Sequence, residues 1–486
     1  MLDLLCVYPN NRRRAFGSLG ETVAAVTPPL QTALIAAFAR ARGLTVKVVD
    51  ADAEGLTAEE TAERIAAESP ALTCISTDYL NSGDVTKMAA AEETVAAAAE
   101  RAPGRPTMLE GVVPSAYPER VLRESGADFV LQGEGFASIV ELARRLRGGD
   151  AGAVEVDGVW SRRGEEVLPS RRPPMEKDVD RLPMAAWDLL PMERYRAHHW
   201  HCFDDLSRRR PYGSIYTNLG CPYACTFCNV NVVYGGPSFR TRTTENVVEE
   251  IDHLVRQYGV RNLRIVDNVF TVRKDLVDRL CDLIVRGGYD LNAWVYARVE
   301  TVDYPLLTKM RQAGIRWVAY GIEAGTKEVR KGVAKGSSQD VIDRAIEATQ
   351  RAGINIVGNF IFGLPDDTLD SMRATLRMAK DYAFEYANFY SAMAYPGTEL
   401  HEEARAAGVE LPASWDGYGQ YSESALPTGS RHLSPADVLR FRDQAFVEYF
   451  SDPAYLRRLE ERFGGEAAAF TREILKHRIR RRILEG

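Results

Sequence analysis

The fold of this 486-residue chain is decided by one stretch, Gly220-Cys221-Pro222-Tyr223-Ala224-Cys225-Thr226-Phe227-Cys228. Its three cysteines have the spacing C-x3-C-x2-C and directly follow Ser214–Asn218, a short run typical of a strand. Cysteine thiolates hold iron–sulfur clusters, commonly four of them for a cubane. Three thiolates leave one iron without a protein ligand, and an open coordination position is typical of a metal centre that does chemistry. We therefore expect Cys221, Cys225 and Cys228 to hold a catalytic [4Fe–4S] cluster.

Two other roles for the cysteine triplet are a zinc site and a disulfide beside one free thiol. No fourth Cys or His stands at a nearby ligand spacing, which disfavours zinc. The chain has 7 cysteines, an odd number and too few for a disulfide scaffold of this size. Cys6, Cys74 and Cys281 are expected to be small buried hydrophobic residues, because they lie in apolar runs.

The composition is that of an ordinary globular protein, with 45% hydrophobic and 27% charged residues. A formal net charge of −7 argues against a nucleic-acid-binding surface, so no nucleic-acid partner is expected. No apolar run reaches the roughly 20 residues of a membrane span, and the first arginines follow the apolar start of the chain, unlike those of a secretory signal. We expect a cytoplasmic chain of two or three domains.

The cysteine triplet follows the first of six strand candidates that alternate with amphipathic helices. The helix predicted at Thr244–Tyr258, for example, has valine, isoleucine and leucine at helical spacing and ends before Gly259. Six such units predict a partial (β/α)6 barrel over residues 211–400, with its chemistry at the carboxyl ends of the strands. The strand candidates are Ser214–Asn218, Leu263–Asp267, Ala293–Arg298, Trp317–Ile322, Ile354–Phe362 and Ala387–Ala394.

Residues 1–150 contain an earlier α/β series, which predicts a doubly wound, Rossmann-like parallel sheet with helices on both faces. Ligands of such sheets bind beyond the carboxyl ends of the strands. Residues 151–210 lack steady periodicity and are expected to connect two domains, and residues 401–486 are expected to form a helical region that caps the substrate. The strand candidates of the first series are Leu4–Tyr8, Thr45–Asp50, Ala71–Ser76, Thr107–Glu110 and Asp128–Leu131.

The cysteine spacing, with an aromatic residue before the last cysteine, resembles the signature of the radical S-adenosylmethionine (SAM) superfamily. Gly321-Ile322-Glu323-Ala324-Gly325, Gly363-Leu364-Pro365-Asp366-Asp367-Thr368 and Tyr395-Pro396-Gly397-Thr398 resemble further segments of that family. The resemblance implies that SAM chelates the open iron through its amino and carboxylate groups. One-electron reduction then releases methionine and a 5′-deoxyadenosyl radical, which takes a hydrogen atom from the substrate. The electron is expected from an external reductant of the flavodoxin or ferredoxin type.

The same resemblance suggests the SAM-binding residues. Phe227 is expected near the adenine. Arg298 and Glu323, both at strand ends, are candidates for the SAM carboxylate, amine or ribose hydroxyls, because a guanidinium pairs with a carboxylate and a carboxylate accepts from hydroxyl or ammonium groups. The family's Gly-Gly-Glu on the second strand is replaced by Val266-Asp267-Asn268, so we expect Asp267 to contact the amine instead.

The first series resembles the cobalamin-binding domain that precedes the barrel in the B12-dependent branch of the superfamily. The resemblance rests on Pro28-Pro29-Leu30, Val49-Asp50-Ala51, Ile75-Ser76-Thr77, the Gly111 turn and Gln132-Gly133-Glu134-Gly135. It implies base-off binding with the nucleotide tail buried in the sheet. No histidine occurs before His198, so this domain cannot supply an axial imidazole to cobalt. The expected cobalamin-binding residues are Pro28, Leu30, Ser76, Thr77, Gly111, Gly133 and Glu134.

Together these features predict a cobalamin-dependent radical SAM methyltransferase that acts on an unactivated carbon of a small-molecule metabolite. One SAM methylates Co(I) to methylcobalamin, and the substrate radical made with a second SAM captures the methyl group. One alternative is a cyclase or rearrangement enzyme that uses both cofactors without methyl transfer. Another, of a different class, is a non-catalytic cobalamin or iron–sulfur sensor.

Three weaker features have no assigned chemistry. His198-His199-Trp200-His201-Cys202 lacks a recognised metal-ligand spacing and is expected either to pack or to contact the substrate near the domain junction, with His201 a candidate general base. Arg12–Arg14 is expected to be a solvated loop. Trp415, Tyr418 and Tyr421 are expected either to cover the barrel mouth or to pack in a core.

Overall fold

The computed structural model describes residues 2–20, 23–80, 84–149 and 155–485. The expected domain boundary between residues 150 and 151 therefore lies outside the described residues. Two largely parallel sheets dominate the fold, one of seven strands before residue 169 and one of six strands after residue 211. Both are covered by helices, as the alternation of strand and helix patterns predicts.

The first sheet has the spatial order β2-β1-β3-β4-β5-β6-β7, and its first five strands are parallel. These five match the predicted strands to within a residue, because four of them are short, wholly buried runs. The edge strand β2 is buried only at Val49 and Asp50. The strands are β1 Leu4–Tyr8, β2 Val46–Asp50, β3 Leu72–Ser76, β4 Thr107–Glu110, β5 Phe129–Leu131, β6 Val159–Arg163 and β7 Glu166–Leu168. The helices before β6 are α1 Arg12–Phe16, α2 Leu30–Arg40, α3 Ala51–Glu54, α4 Ala58–Glu68, α5 Lys87–Arg101, α6 Val112–Ala116, α7 Pro118–Glu124 and α8 Phe136–Arg147.

The hairpin β6–β7 was not predicted, and it carries the first sheet beyond the expected boundary at residue 150. β6 pairs antiparallel with β5, placing Trp160 opposite Val130. The turn contains Gly164, whose φ of 63° suits a two-residue hairpin loop. Its strands carry three charged residues, Arg162, Arg163 and Glu166, so no clean hydrophobic alternation marks them.

The second sheet has the order β15-β14-β13-β12-β11-β8 and is parallel throughout. All six predicted strands are present; the first and last end three residues earlier than expected. Its strands are β8 Tyr212–Ile215, β11 Asn262–Ile265, β12 Asn292–Ala297, β13 Ile315–Glu323, β14 Asn355–Phe362 and β15 Tyr386–Ser391. A two-stranded ribbon, β9 Asn218–Leu219 with β10 Arg240–Thr241, follows β8. The helices are α9 Thr244–Tyr258, α10 Lys274–Gly287, α11 Tyr304–Gln312, α12 Lys327–Gly332, α13 Gln339–Arg351, α14 Leu369–Asp381 and α15 Glu399–Ala406.

An aromatic cluster closes the amino-terminal end of this partial barrel. Trp200 packs against Trp294 and Trp317, with ring centroids 5.3 Å apart in both pairs. His201 Nε2 hydrogen-bonds the Asn292 carbonyl at the start of β12. Burial lowers the pKa of His199 and of His201 to about 3, so both rings stay neutral. Residues 198–202 are therefore core residues, and His201 lies at the wrong end of the strands to act as a general base.

The segment before the second sheet contacts elements of both sheets' regions. Trp187 Nε1 donates to Glu250 of α9 at 3.0 Å, and the Tyr195 hydroxyl donates to Asp50 at the end of β2 at 2.7 Å. After α15, residues 411–434 cross back to the first domain before three terminal helices. These are α16 Pro435–Phe450, α17 Pro453–Phe463 and α18 Gly465–Ile474. Within the described ranges, no helix is long and apolar enough to cross a bilayer.

The expectation of a solvated loop at Arg12–Arg14 is wrong, since these residues form α1. Arg14 pairs with Asp416 at 2.5 Å and with Glu93 of α5 at 2.6 Å. Trp415 Nε1 donates to Glu92 at 2.8 Å and its ring is buried in the core of the first domain. Residues 411–434 therefore join the two domains instead of forming a free flap.

Candidate active site

The cysteine loop begins directly after β9 and lies between the two strands of the ribbon. Gly220 has a φ of 88°, and a Cβ there would overlap the Ser238 carbonyl oxygen, so glycine is required. Asn231 closes the loop from within: its Oδ1 accepts from the Cys221 amide at 3.2 Å and its Nδ2 donates to the Tyr223 carbonyl at 2.9 Å. Asn231 was not predicted, because a lone asparagine in a loop gives no pattern.

The three thiols face an open space. Cys221 and Cys225 are partly exposed and Cys228 is exposed, although protein surrounds the loop on most sides. Among the described residues, no three His, Cys, Asp or Glu side chains lie close enough together to hold one metal ion. A cubane offers irons at separate corners and accepts thiolates that lie further apart.

Arg298 stands beside the triplet, directly after β12. Its Nη1 lies 3.6 Å from Cys225 Sγ, and its guanidinium lies 4.1 Å from the centre of the Tyr223 ring. Glu300 holds the guanidinium from the other side at 3.3 Å. The Arg298 guanidinium is therefore held against the cysteine loop, and its Nη1 faces the Cys225 thiol.

Glu323 ends β13 in a strained conformation. Its φ is 69°, in the left-handed region, and its side chain is only 5% exposed overall. Strain of this kind is concentrated at functional sites. The carboxylate forms a buried ion pair with Lys335, and a Cβ on Gly321 would overlap both groups. Lys335 was not predicted, because it lies outside any periodic pattern.

Two nearby cations favour the thiolate forms of the cysteines. Burial raises the pKa of Cys221 above its usual range, whereas the positive charges of Arg298 and Lys335 act in the opposite direction. The positive charge of Lys335 also favours the thiolate of Cys228. The two cations thus suit a loop that carries bound thiolates.

Asp267 follows β11 and is 1% exposed. Its carboxylate accepts hydrogen bonds from the Thr217 amide at 2.7 Å, from the Thr217 hydroxyl, and from the amide and side chain of Asn218 at 3.2 Å and 2.6 Å. Burial raises its pKa to about 6, although these hydrogen bonds act in the opposite direction. Both oxygens are occupied with holding the segment that leads to the cysteine loop.

Phe227 is half-buried between two small apolar clusters. It packs with Ala324, the residue after Glu323, and with Leu364 of the Gly363–Thr368 turn. On the other side it packs with Leu400 of α15, whose amide donates to the Thr226 carbonyl at 3.0 Å. Phe227 and Glu323, both predicted SAM-binding residues, therefore lie in one part of the molecule.

The predicted cobalamin-binding residues all lie at the carboxyl edge of the first sheet or at the start of α2. Several are already bonded within the protein. The Thr77 hydroxyl donates to the Glu110 carbonyl at 2.9 Å, and Ser76 Oγ accepts from the Asp78 amide at 3.2 Å. Gly111 has a φ of 127°, and a Cβ there would overlap Thr77 Oγ1. Pro28 and Leu30 are buried at the entrance of α2.

Gly133 and Glu134 contact other parts of the chain at this edge. A Cβ on Gly133 would come within 3.1 Å of Pro173 in the connecting segment. Glu134 forms a bidentate ion pair with Arg240 of β10, with Nη–Oε distances of 2.7 Å and 2.9 Å. The pair crosses from the first domain to the barrel, and Tyr79 and Tyr234 meet beside it at 6.0 Å between ring centroids.

The same edge has buried polar atoms without a partner among the described residues. They are Glu110 Oε1, the Tyr79 hydroxyl, Asn11 Oδ1 and Thr32 Oγ1. Buried polar atoms left unpaired cost free energy, so such a group of them indicates a ligand. Cobalamin carries many amide groups that donate and accept hydrogen bonds, and the residues at this edge fit it.

Two family models match the chain. The radical SAM superfamily model matches residues 215–379, and the B12 binding domain model matches residues 18–143. The first range contains the cysteine loop, Arg298 and Glu323, and the second contains the carboxyl edge described above.

Several known proteins resemble most of this chain. An uncharacterized methyltransferase of Pyrococcus horikoshii is 27% identical over 462 residues, which cover 94% of each chain. The anaerobic magnesium-protoporphyrin IX monomethyl ester cyclase of Rubrivivax gelatinosus is 26% identical, over 83% of this chain and 70% of the cyclase. The radical SAM methyltransferase TsrM of Kitasatospora setae, solved with cobalamin and a [4Fe–4S] cluster, shares the fold. The TM-score is 0.67 at 19% sequence identity, over 93% of this chain and 90% of TsrM.

Proposed function

We propose that this chain, a radical SAM enzyme with an amino-terminal B12-binding domain, is a cobalamin-dependent methyltransferase that acts on a carbon of a small molecule. A radical SAM domain binds a [4Fe–4S] cluster and SAM, and a B12-binding domain binds cobalamin. Bound here, the cluster would supply the electron that splits SAM, and cobalamin would carry the methyl group.

One observation carries the proposal: the carboxyl edge of the first sheet lies against the segment that follows the cysteine loop. Tyr79 of that edge packs on Tyr234, and Glu134 pairs with Arg240. A Cβ on Gly397, at the end of the Pro-Gly-Thr segment, would meet both Val232 and Ala116 of α6. The two cofactor sites therefore share one junction, as methyl transfer to a substrate radical requires.

In this proposal the residues have distinct tasks. Cys221, Cys225 and Cys228 ligate the cluster, and Asn231 fixes their loop. Arg298 offers the Nη1 group that faces Cys225 to the SAM carboxylate, and Glu323 offers its carboxylate to the amine or ribose of SAM. Phe227 supports the adenine. Asp267 positions Thr217 and Asn218, since its own oxygens are occupied.

At the other cofactor, Ser76, Thr77 and Gly111 shape the carboxyl edge, with Pro28 and Leu30 at its floor. Glu110 and Tyr79 supply the unpaired polar atoms. Glu134 and Gly133 hold this edge to the barrel and the connecting segment. No histidine precedes His198, so the residues of the first domain would hold cobalamin without an imidazole ligand.

The test is an anaerobic incubation of the reconstituted enzyme with a one-electron reductant, SAM labelled with deuterium in its methyl group, and a cell extract that supplies candidate small-molecule substrates. We expect 5′-deoxyadenosine and a product that is heavier by a labelled methyl group. The variants Cys221→Ala, Cys225→Ala and Cys228→Ala should each abolish both. Cys281→Ala is the matched control, because that cysteine is buried in α10 away from the loop, and it should retain activity. A product that carries no label would overturn the assignment of methyl transfer.

A second candidate is ring closure or rearrangement with the same cofactors. It is favoured by the likeness to the anaerobic cyclase of Rubrivivax gelatinosus. In that case 5′-deoxyadenosine forms as before, and the product differs from the substrate in hydrogen or oxygen content but contains no added methyl group.

A further inference from the structure

Arg330 of α12 is a guanidinium buried beside the cysteine loop's neighbours, and it is only 1% exposed. Its Nη1 donates to the Ala324 carbonyl at 2.7 Å, and its Nε and Nη2 donate to the Ser337 carbonyl at 3.2 Å and 3.0 Å. Within the part of the chain that the structure describes, these backbone carbonyls are its hydrogen-bond partners, and it has no carboxylate partner. Burying a charge in this way costs free energy, so the feature to explain is what the two carbonyls hold in place.

The two carbonyls lie on either side of the ion pair between Glu323 and Lys335. Ala324 directly follows Glu323, and Ser337 lies two residues after Lys335. The Lys335 amide also donates to the Arg330 carbonyl at 3.0 Å. Arg330 therefore fixes the backbone beside both members of the ion pair.

The same hydrogen bonds lead to Arg298, the other polar candidate for SAM binding. The Ser337 hydroxyl donates to the Glu300 carboxylate, and that carboxylate pairs with Arg298 at 3.3 Å. Arg298 and Glu323 thus belong to one network of hydrogen bonds and ion pairs. The buried centre of this network is Arg330.

Two residues of the network's backbone have left-handed conformations that a side chain disfavours. Glu323 has a φ of 69° and Ala334 has a φ of 56°. Conformations of this kind persist only where the surrounding structure holds them. Ala324 follows the first of these residues and Ser337 lies three residues after the second, so the hydrogen bonds from Arg330 hold the chain next to both.

Apolar packing accounts for the attachment of α12 itself. Val329 and Val333 are buried with Ala324 in a small apolar cluster. Phe227 of the cysteine loop packs against this cluster. Because these contacts hold the helix without the guanidinium, the hydrogen bonds of Arg330 act on the conformation of the chain around the ion pair.

We propose that Arg330 is a positioning residue for SAM, because it holds the Glu323 carboxylate and the Lys335 ammonium in the arrangement that receives the amine or ribose of SAM. Through Ser337 it also supports the carboxylate that orients Arg298. A lysine would do this only in part, since a guanidinium presents five donors in a fixed fork and an ammonium is a single point charge. This inference deepens the proposed function and rests on the SAM-binding roles proposed there, and it adds no chemical step.

The experiment is equilibrium dialysis of SAM against the reconstituted holoenzyme and its variants at equal iron content, without a reductant so that SAM is not cleaved. Arg330→Met alone should weaken SAM binding by about tenfold, because the ion pair loses its support. In a Lys335→Met background the same substitution should weaken it by about twofold or less, because the two changes act on one network and their effects do not add. Arg330→Lys should bind SAM more tightly than Arg330→Met and less tightly than the unaltered enzyme.

The matched control is Arg209→Met. The Arg209 guanidinium also donates to backbone carbonyls, those of Ala197 at 2.7 Å and of Ala24 at 3.0 Å. It lies before β8, at the amino-terminal end of the barrel strands and away from the cysteine loop. This variant should lose stability but bind SAM like the unaltered enzyme.

SAM binding by Arg330→Met as tight as that by Arg209→Met would overturn the inference. An equal loss of affinity in both backgrounds would also overturn it, because it would indicate a general effect on the fold. If Arg330→Met does not fold, Arg330→Lys in the two backgrounds gives the same comparison. Transfer of the labelled methyl group is measured separately: if the product carries no label but the two substitutions remain coupled, the proposed methyltransferase function fails and the role of Arg330 stands.

Discussion

The ion pair between Glu134 and Arg240 offers a quantitative test of how the two domains are joined. The two side chains are 2% and 10% exposed, and both guanidinium nitrogens contact the carboxylate. Replacing Arg240 by methionine keeps most of the side-chain volume but leaves the Glu134 carboxylate buried without a counter-charge. Breaking a buried pair in this way costs about 3–5 kcal/mol, which is a factor of about 10² to 10³ or more in the folding equilibrium.

The assay is urea unfolding followed by tryptophan fluorescence. The matched control is Arg171→Met, because Arg171 pairs with Asp157 at 2.6 Å on the surface, where the two side chains are 81% and 40% exposed. Loss of an exposed pair costs at most about 1 kcal/mol. The double variant Glu134→Gln with Arg240→Met should recover much of the lost stability, since no charge is left buried. Equal midpoints for Arg240→Met and Arg171→Met, or no recovery in the double variant, would refute the reasoning.

Three further predictions concern the cofactor sites. Lys335→Met should weaken SAM binding by about tenfold or more, because Glu323 loses its ionic partner and its carboxylate is then disfavoured by burial. Lys335→Arg should restore part of the affinity. Titration calorimetry at equal iron content measures SAM affinity, and equal affinities of the variants and the unaltered enzyme would contradict the prediction. Gly220→Ala should lower the iron bound per chain, because alanine overlaps the Ser238 carbonyl. Gly259→Ala should retain the iron, since this glycine ends a helix with a similar φ of 64° and its Cβ would meet only Pro211, at 4.0 Å. Burial raises the pKa of Glu110 from its ordinary 4.5 to about 8, so the folded cofactor-free protein binds a proton that the unfolded chain releases. The stability of the folded protein should therefore fall as pH rises from about 4.5 to about 8, by up to about 1.4 kcal/mol per pH unit. Denaturation measured at several pH values tests this, and Glu110→Gln should flatten the slope.

The sequence predicted the parts of the fold that depend on local hydrophobic pattern. Buried parallel strands such as β1 and β4 are short apolar runs between turn residues, and they were placed to the residue. α9 was placed equally well, because Thr243 caps its start and Gly259 ends it in the left-handed conformation. The hairpin β6–β7 was missed, since its pairing with β5 is a tertiary contact that no local pattern records.

In the candidate site, too, residues with a fixed spacing could be predicted, whereas residues whose role depends on tertiary contacts could not. The cysteines could be recognised because cluster ligation fixes their spacing within one loop. Lys335 and Arg240 could not, because their importance comes from pairing with Glu323 and Glu134, which are 12 and 106 positions away in the sequence. The full set of donors around Asp267 likewise appears only when β8 and β11 lie side by side.

The closed floor of the barrel has a consequence for the order of events in turnover. Trp200, Trp294 and Trp317 pack together at one end, so the route left for molecules to enter and leave is the opposite end, at the rim that the two domains share. If a substrate is seated on the floor side of a SAM molecule held by Arg298 and Glu323, it must arrive before SAM and depart after the products of SAM cleavage. Turnover would then follow a compulsory order, in which methionine and 5′-deoxyadenosine leave first and the modified substrate is released last.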